Sequence, residues 1–427
     1  AARAGARTAV IEAFGTLGGA ATQGLVTPFM HTGIAGNPMC SAISDELNRR
    51  AITLGFGRAD AKGNEGHFDP IALAYVLEEA VLAAGVQVRL YTQFCEPVLE
   101  EGRVAGVIAQ DKAGRFAILA KCVIDCTGDA DVAARAGVPC DAGDPETGKN
   151  QPISVRYVVS GIDIAAFIEY LRELSQTGFA YPYALNPDFF HAAVVWGRDY
   201  PLIETFRAGV RAGELTEEDG KYWQCFSVPG RPDSIAFNCP EFFEHVDGTN
   251  PDDLTRAQLE AHRAIYRQMA FYRKHFPGFA GASVSSIAGQ VGVRESRRIH
   301  GEYMLTNEDV LSHRKFSDAV ARSNYPIDVH GHKLRNQEIV SEENTAPYYE
   351  IPYRCMVPVG VDGLLVAGRC ISSEFVAQSS LRIQPTARAL GEAAGIAAAM
   401  AVRDGSEVRA IRGEDVRAEM LRRGARF

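Results

Sequence analysis

The chain has 427 residues, with 44 Lys and Arg against 53 Asp and Glu, so its net charge is 44 − 53 = −9, spread along the sequence. That sign argues against a nucleic-acid groove, which needs basic side chains for phosphates. Hydrophobic residues at 46% and charged residues at 23% exclude a disordered or fibrous chain, and at about 150 residues per domain the length implies two or three units.

Ala1 to Gly5 reads as the last turn of a helix stopped by Gly5. Chain order then leads us to expect a fragment of a longer protein, missing an earlier strand and glycine loop. Thr8 to Glu12 is a short apolar run ending in an acid, the pattern of a buried parallel strand. Asp69 and Pro70 supply an N-cap and first-turn proline, and Ile71, Ala74, Leu77, Val81 and Leu82 share one face of a helix closed by Gly85. Val86 to Leu90 is the next strand. Arg103 to Gln110 and Phe116 to Leu119, parted by Lys112-Ala113-Gly114, predict a β-hairpin, and Cys122 to Asp125 another buried strand.

Beyond Asp141 the texture changes to turn residues between aromatic-rich segments. Strand Ser154 to Val159, helix Ile164 to Ser175 and helix Asp252 to His275, capped by Asn250 and Pro251, belong there. From Ile351 the earlier pattern returns, with strand Leu364 to Ala367 and helix Pro385 to Arg403. The expected fold is therefore α/β: a Rossmann-like domain with a parallel sheet, formed by residues 1–141 and 345–427, plus an inserted α+β substrate or cap domain at 142–344.

The most apolar stretch, Ala393 to Val402, is shorter than the roughly 20 residues of a membrane span. The nine cysteines occur singly without a CxxC pair, which fits reduced thiols in a cytoplasmic enzyme better than a disulfide framework.

Three segments carry the pattern of a nucleotide site. Glu12 ends a strand where an acid can accept hydrogen bonds from a ribose, although a solvated strand-end carboxylate has the same pattern. Leu17-Gly18-Gly19-Ala20 follows, its glycines allowing close approach of backbone to a phosphate or ring. Ile124-Asp125-Cys126-Thr127-Gly128-Asp129 ends a strand and opens a helix at Asp129. Leu364 to Arg369 ends another strand in glycine, and Arg382-Ile383-Gln384-Pro385-Thr386 starts a helix whose N-terminus presents free N–H groups.

LGGAAT, VIDCTGDADVAARAG, GVRESRRIHGEYMLT, YPIDVH and YEIPYRCMVPVGVDGLLVAGRCIS resemble, in the same order, blocks of the FAD-dependent oxidoreductase family, which is similar to flavoproteins of the glutathione-reductase and fumarate-reductase type. The resemblance implies noncovalent FAD, with Glu12 on the adenosine ribose and Gly18, Gly19 and Thr22 near the pyrophosphate and isoalloxazine. It places Thr127, Gly128 and Asp129 beside the cofactor, Gly368 and Arg369 at the ribityl and phosphate region, and Arg382, Gln384 and Pro385 at the pyrimidine edge. Phe375 stands where relatives commonly have a histidine. Relatives of the heterodisulfide-reductase kind work with iron–sulfur proteins. This chain has no close grouping of cysteines, so any cluster would sit in an electron-transfer partner.

Candidate reactive residues lie in the inserted segment. Arg294, Arg297 and Arg298 surround Glu295, and a guanidinium binds a carboxylate through two parallel hydrogen bonds; a charged surface turn is the alternative, and Arg294 is favoured if one arginine acts. Asp328 and His330 suit a carboxylate-oriented imidazole able to exchange a proton, and His332 shares the alternating spacing of a metal pair but lacks a third ligand. Tyr353 and Arg354 either close the substrate side or form a domain-interface contact, and His31 is a loop histidine that could face the flavin. The expected activity is transfer of a hydride or two electrons between FAD and a small organic substrate, carboxylates included. An electron-transfer subunit working with an iron–sulfur protein, and a cofactor-free binding relative, are the alternatives.

Overall fold

The computed structural model describes residues 1–29, 40–59, 66–176, 185–195, 200–330 and 348–427. Strand Ala9–Ile11 pairs in parallel with Gln87–Arg89, and helix Pro70–Ala83 lies between them in sequence. The Asp69 carboxylate accepts hydrogen bonds from the Ile71 and Ala72 N–H groups, as an N-cap should. The buried face of this helix differs from the one expected. Leu73 and Val76 turn inward, Leu73 joining Ala21, Phe29, Ala51 and Phe68 in one cluster, whereas Ile71 is 65% and Leu82 59% exposed. The helix is apolar on both sides, so spacing alone fits two faces and tertiary contacts choose between them.

A second parallel pair joins Val123–Asp125 to Leu364–Val366, bringing together segments more than two hundred residues apart. Ile11 packs on the same cluster as Val123, Leu364 and Val366, so all three expected strand ends share a core. They do not form one sheet among the described residues, because Ala9–Ile11 pairs only with Gln87–Arg89. The hairpin is present as Arg103–Asp111 with Gly114–Leu119, and Gln93–Glu100 adds a third antiparallel strand.

The inserted unit is built on a six-stranded antiparallel sheet that runs from Leu185–Asn186 through Phe189–Val195, Tyr222–Ser227, Ile235–Phe237 and Tyr157–Ser160 to Ser283–Ile287. Strand residues alternate between faces. Tyr157 and Val159 enter an aromatic core with Phe167, Trp223 and Tyr272, contributed in part by helices Ile164–Ser175 and Pro251–His275. Val158 and Ala236 pack instead with Leu25 of the first unit.

Packing returns the chain to the first unit before residue 345. Arg297–Ile299 pairs with Cys140–Ala142, and Ala319–Ser323 pairs with Tyr349–Pro352 in a core that includes helix Gln384–Asp404. These strands are too short for hydrophobic alternation to announce them. No described helix is long and apolar enough to cross a membrane.

His67, on strand Gly66–Phe68, links the two units: its Nδ1 lies 3.1 Å from Ser227 Oγ, and its ring sits against Phe189 and Phe226. Burial pushes its pKa down to about 3. The unfolded chain protonates the same ring near 6.5, so stability is complete above that pH and falls below it, by about 1.4 kcal/mol per pH unit for each extra proton taken up on unfolding. Urea unfolding at pH 7, 5.5 and 4.5 should show this loss, and His67→Gln should flatten it by one proton. An unchanged slope in the variant would contradict a neutral, buried His67.

Candidate active site

The two adjacent parallel strand ends are shaped by one carboxylate. Asp125 Oδ1 accepts hydrogen bonds from Thr127 N at 3.0 Å and Thr127 Oγ1 at 2.7 Å, and Oδ2 accepts from Val132 N at 2.9 Å and Ala133 N at 3.0 Å. Burial raises the pKa of this acid, while the bonds from Thr127 and Ala133 oppose the rise. The Thr127 hydroxyl also accepts from Asp131 N, so Thr127 is held as part of the turn.

The helix starts at Asp131 rather than Asp129. Asp129 is engaged elsewhere: its Oδ1 receives the Arg369 guanidinium at 2.7 Å and the Ser296 hydroxyl. Gly128, at φ +83°, is needed for that arrangement, since a Cβ there would lie 2.8 Å from Arg369 Nη1. Arg369 therefore closes the turn through Asp129, a different role from the reach to phosphate implied by the family resemblance.

Glu12 occupies its expected strand end, half-buried, with Oε1 accepting from Phe14 N at 3.0 Å; burial raises its pKa. Gly18 and Gly19 have φ of +108° and +49°, and the Thr22 hydroxyl donates to the Leu17 carbonyl at 2.7 Å. Thr22 thus clasps the loop. Pro385 lies at the start of helix Gln384–Asp404, and the Gln384 amide donates to the Val26 and Pro28 carbonyls, tying the helix start to the segment that follows the glycine loop.

These residues fit FAD on three observations. The space beyond Gly368 is open, Gly19 has only Gln290 Oε1 at the limit of contact, and that oxygen is buried without a hydrogen-bond partner. Arg382 Nε and Thr386 Oγ1 are buried and unpaired as well. A flavin edge carries both donors and acceptors, the complement such groups require.

A ladder of charges crosses the junction of the two units. Arg294 Nη1 donates to the Pro152 carbonyl at 2.6 Å and lies 3.5 Å from Glu241 Oε1. The same Oε1 is 2.7 Å from His330 Nδ1, His330 Nε2 is 3.4 Å from Asp328 Oδ1, and Asp328 Oδ2 is 3.0 Å from Arg382 Nη2. Tyr222 lies edge-on to the His330 ring at 5.2 Å. Burial opposes the charge of Arg294, but Glu241, Tyr222 and Asp328 together reverse the sign and raise its pKa, whereas burial prevails at Arg382 and lowers it.

Arg297 and Arg298 stand outside this ladder. Arg297 bonds to the Asp129 carbonyl and Asp131, and Arg298 to Glu295 and the Ser373 carbonyl, its guanidinium over the Phe375 ring. Arg354 is not brought to the site: Asp318 holds it at 2.9 and 3.3 Å beside the C-terminal segment, a contact within the first unit rather than across the domain interface. Tyr353 likewise turns its hydroxyl to the Val408 carbonyl. His31 and His332 lie outside the described residues.

Sequence inspection passed over Glu241, Tyr222 and Arg156. A charged residue inside the apolar run ISVRYVVSG, and an acid inside the aromatic CPEFF, were the available signals.

The model of the family "FAD dependent oxidoreductase" matches residues 1–420, and the chain belongs to that family. It is an FAD-dependent enzyme with FAD as cofactor. No curated protein matches it. Among solved structures it is similar to p-nitrophenol 4-monooxygenase PnpA from Pseudomonas putida DLL-E4, with 12% identity, TM-score 0.47, and coverage of 99% of this chain and 81% of that one. The flavin-dependent brominase Bmp2 shows 12% identity and TM-score 0.43, covering 99% and 78%. The myxobacterial chondrochloren halogenase CndH shows 10% identity and TM-score 0.42, covering 99% and 74%.

Asp125→Ala should lower folding stability by roughly 3 kcal/mol, because several buried donors lose their acceptor, and should reduce the flavin that copurifies. Thermal unfolding and visible flavin absorbance measure both effects. Full stability with full flavin content would show that Asp125 does not organise the turn.

Proposed function

We propose that the enzyme transfers a hydride or two electrons between FAD and a small organic carboxylate bound at the junction of its two units. The supporting observation is the buried ladder Arg294–Glu241–His330–Asp328–Arg382, assembled from segments of both units. Bound FAD supplies the two-electron chemistry. Glu12 would bind its ribose, and the glycine loop and the start of helix Gln384–Asp404 would border it.

Within the ladder, Glu241 Oε1 stands between Arg294 and the His330 ring, 3.5 Å from Arg294 Nη1 and 2.7 Å from His330 Nδ1, and so fixes where both side chains sit. His330 Nε2 has the longer contact, 3.4 Å to Asp328, and is the nitrogen that exchanges a proton with substrate. The positive charge gathered at this junction attracts a carboxylate and favours its staying in place through the transfer. His330 is 7% exposed, so the exchange occurs away from bulk water.

Anaerobic mixing of FAD-loaded protein with small saturated and 2-hydroxy carboxylic acids, each beside its amide, tests this reading. An acid should bleach the flavin and its amide should not. His330→Gln should slow bleaching roughly 100-fold. Equal bleaching by amides, or bleaching only by a reduced iron–sulfur protein, would reject the carboxylate substrate.

A further inference from the structure

Beside the ladder stands one arginine whose guanidinium has no partner among the described residues. Arg156 immediately precedes strand Tyr157–Ser160, on a segment that builds the ladder: the Pro152 carbonyl holds Arg294, and Ser154 pairs with Glu241. Its Nε is buried without a partner, and no hydrogen bond or ion pair from the described residues reaches its guanidinium. Arg294 and Arg382, by contrast, are occupied by Glu241, the Pro152 carbonyl and Asp328.

Burial lowers the pKa of Arg156 to about 10; Tyr222 and Glu241 act to raise it, and Arg294 and Arg382 to lower it further. Arg156 therefore belongs electrostatically to the same cluster. Arg156 is half-buried, its Nε covered and without a partner among the described residues, so an incoming anion can reach the guanidinium and supply the missing partner.

We infer that Arg156 is the residue that binds the substrate carboxylate, while Arg294 and Arg382 are positioning residues held by their own acids. The inference rests on the carboxylate reading above and specifies it: the substrate presents one carboxylate to this cluster, paired with Arg156 through parallel N–H···O bonds. A purely structural arginine would instead show a partner within the protein.

The test uses the full FAD-loaded chain with acetate, succinate and benzoate as probes and benzamide as the neutral control, followed by calorimetry and thermal unfolding. Wild type should bind at least one acid and ignore benzamide. Arg156→Gln should lose roughly tenfold or more in affinity, a loss Arg156→Lys partly restores. Without probe, Arg156→Gln should unfold at about the same temperature as wild type, because no partner among the described residues is lost with the guanidinium.

Acid binding unchanged in Arg156→Gln overturns the assignment and leaves the carboxylate reading standing. Loss of folding or a lowered melting temperature in Arg156→Gln also overturns it, because the residue would then be structural. Absence of acid binding to wild type overturns the reading and the inference together.

Discussion

The junction of the two units turns on the buried carboxylate of Glu241. It carries a negative charge into a place that solvates it poorly, and one oxygen lies near both Arg294 and His330. An ionised acid in such surroundings persists only when cations and donors surround it. The sharing also fixes geometry: one short strand, Glu241–Phe242, paired with Ile153–Ser154, sets the position of an arginine, a histidine and the entry to strand Tyr157–Ser160. Removing Glu241 would leave Arg294 and His330 without their common anchor.

The cofactor side is organised by the same logic on a smaller scale. Asp125 converts a strand end into a defined turn by accepting from Thr127, Val132 and Ala133, and Asp129 with Arg369 locks the next residues. Much of what looks like a ligand-binding motif is thereby self-satisfied. The groups left for a ligand are the open approach over Gly368, the strand-end carboxylate of Glu12, and the orphaned Gln290, Arg382 and Thr386 atoms.

Parallel strands were legible because apolar runs such as Leu364 to Ala367 end in glycine, and the Asp69-Pro70 cap was legible because its chemistry is local. The buried face of helix Pro70–Ala83 was not, since apolar residues occur all round it. Arg294 and His330 stood out as charged residues grouped in sequence. Arg354 misled because its partner, Asp318, is 36 residues away and invisible to any short pattern. Glu241 and Arg156 are isolated charges in apolar segments, and only tertiary structure shows that they meet one another's neighbours.

The location of a carboxylate in the FAD-loaded protein tests the central claim most directly, and the anomalous signal of bromine in p-bromobenzoate would report it crystallographically. The account predicts the carboxylate within hydrogen-bond distance of the Arg156 guanidinium, with the bromine between the Arg294–Arg382 ladder and the flavin. A bromine site away from both, with Arg156 still unpaired, would contradict it.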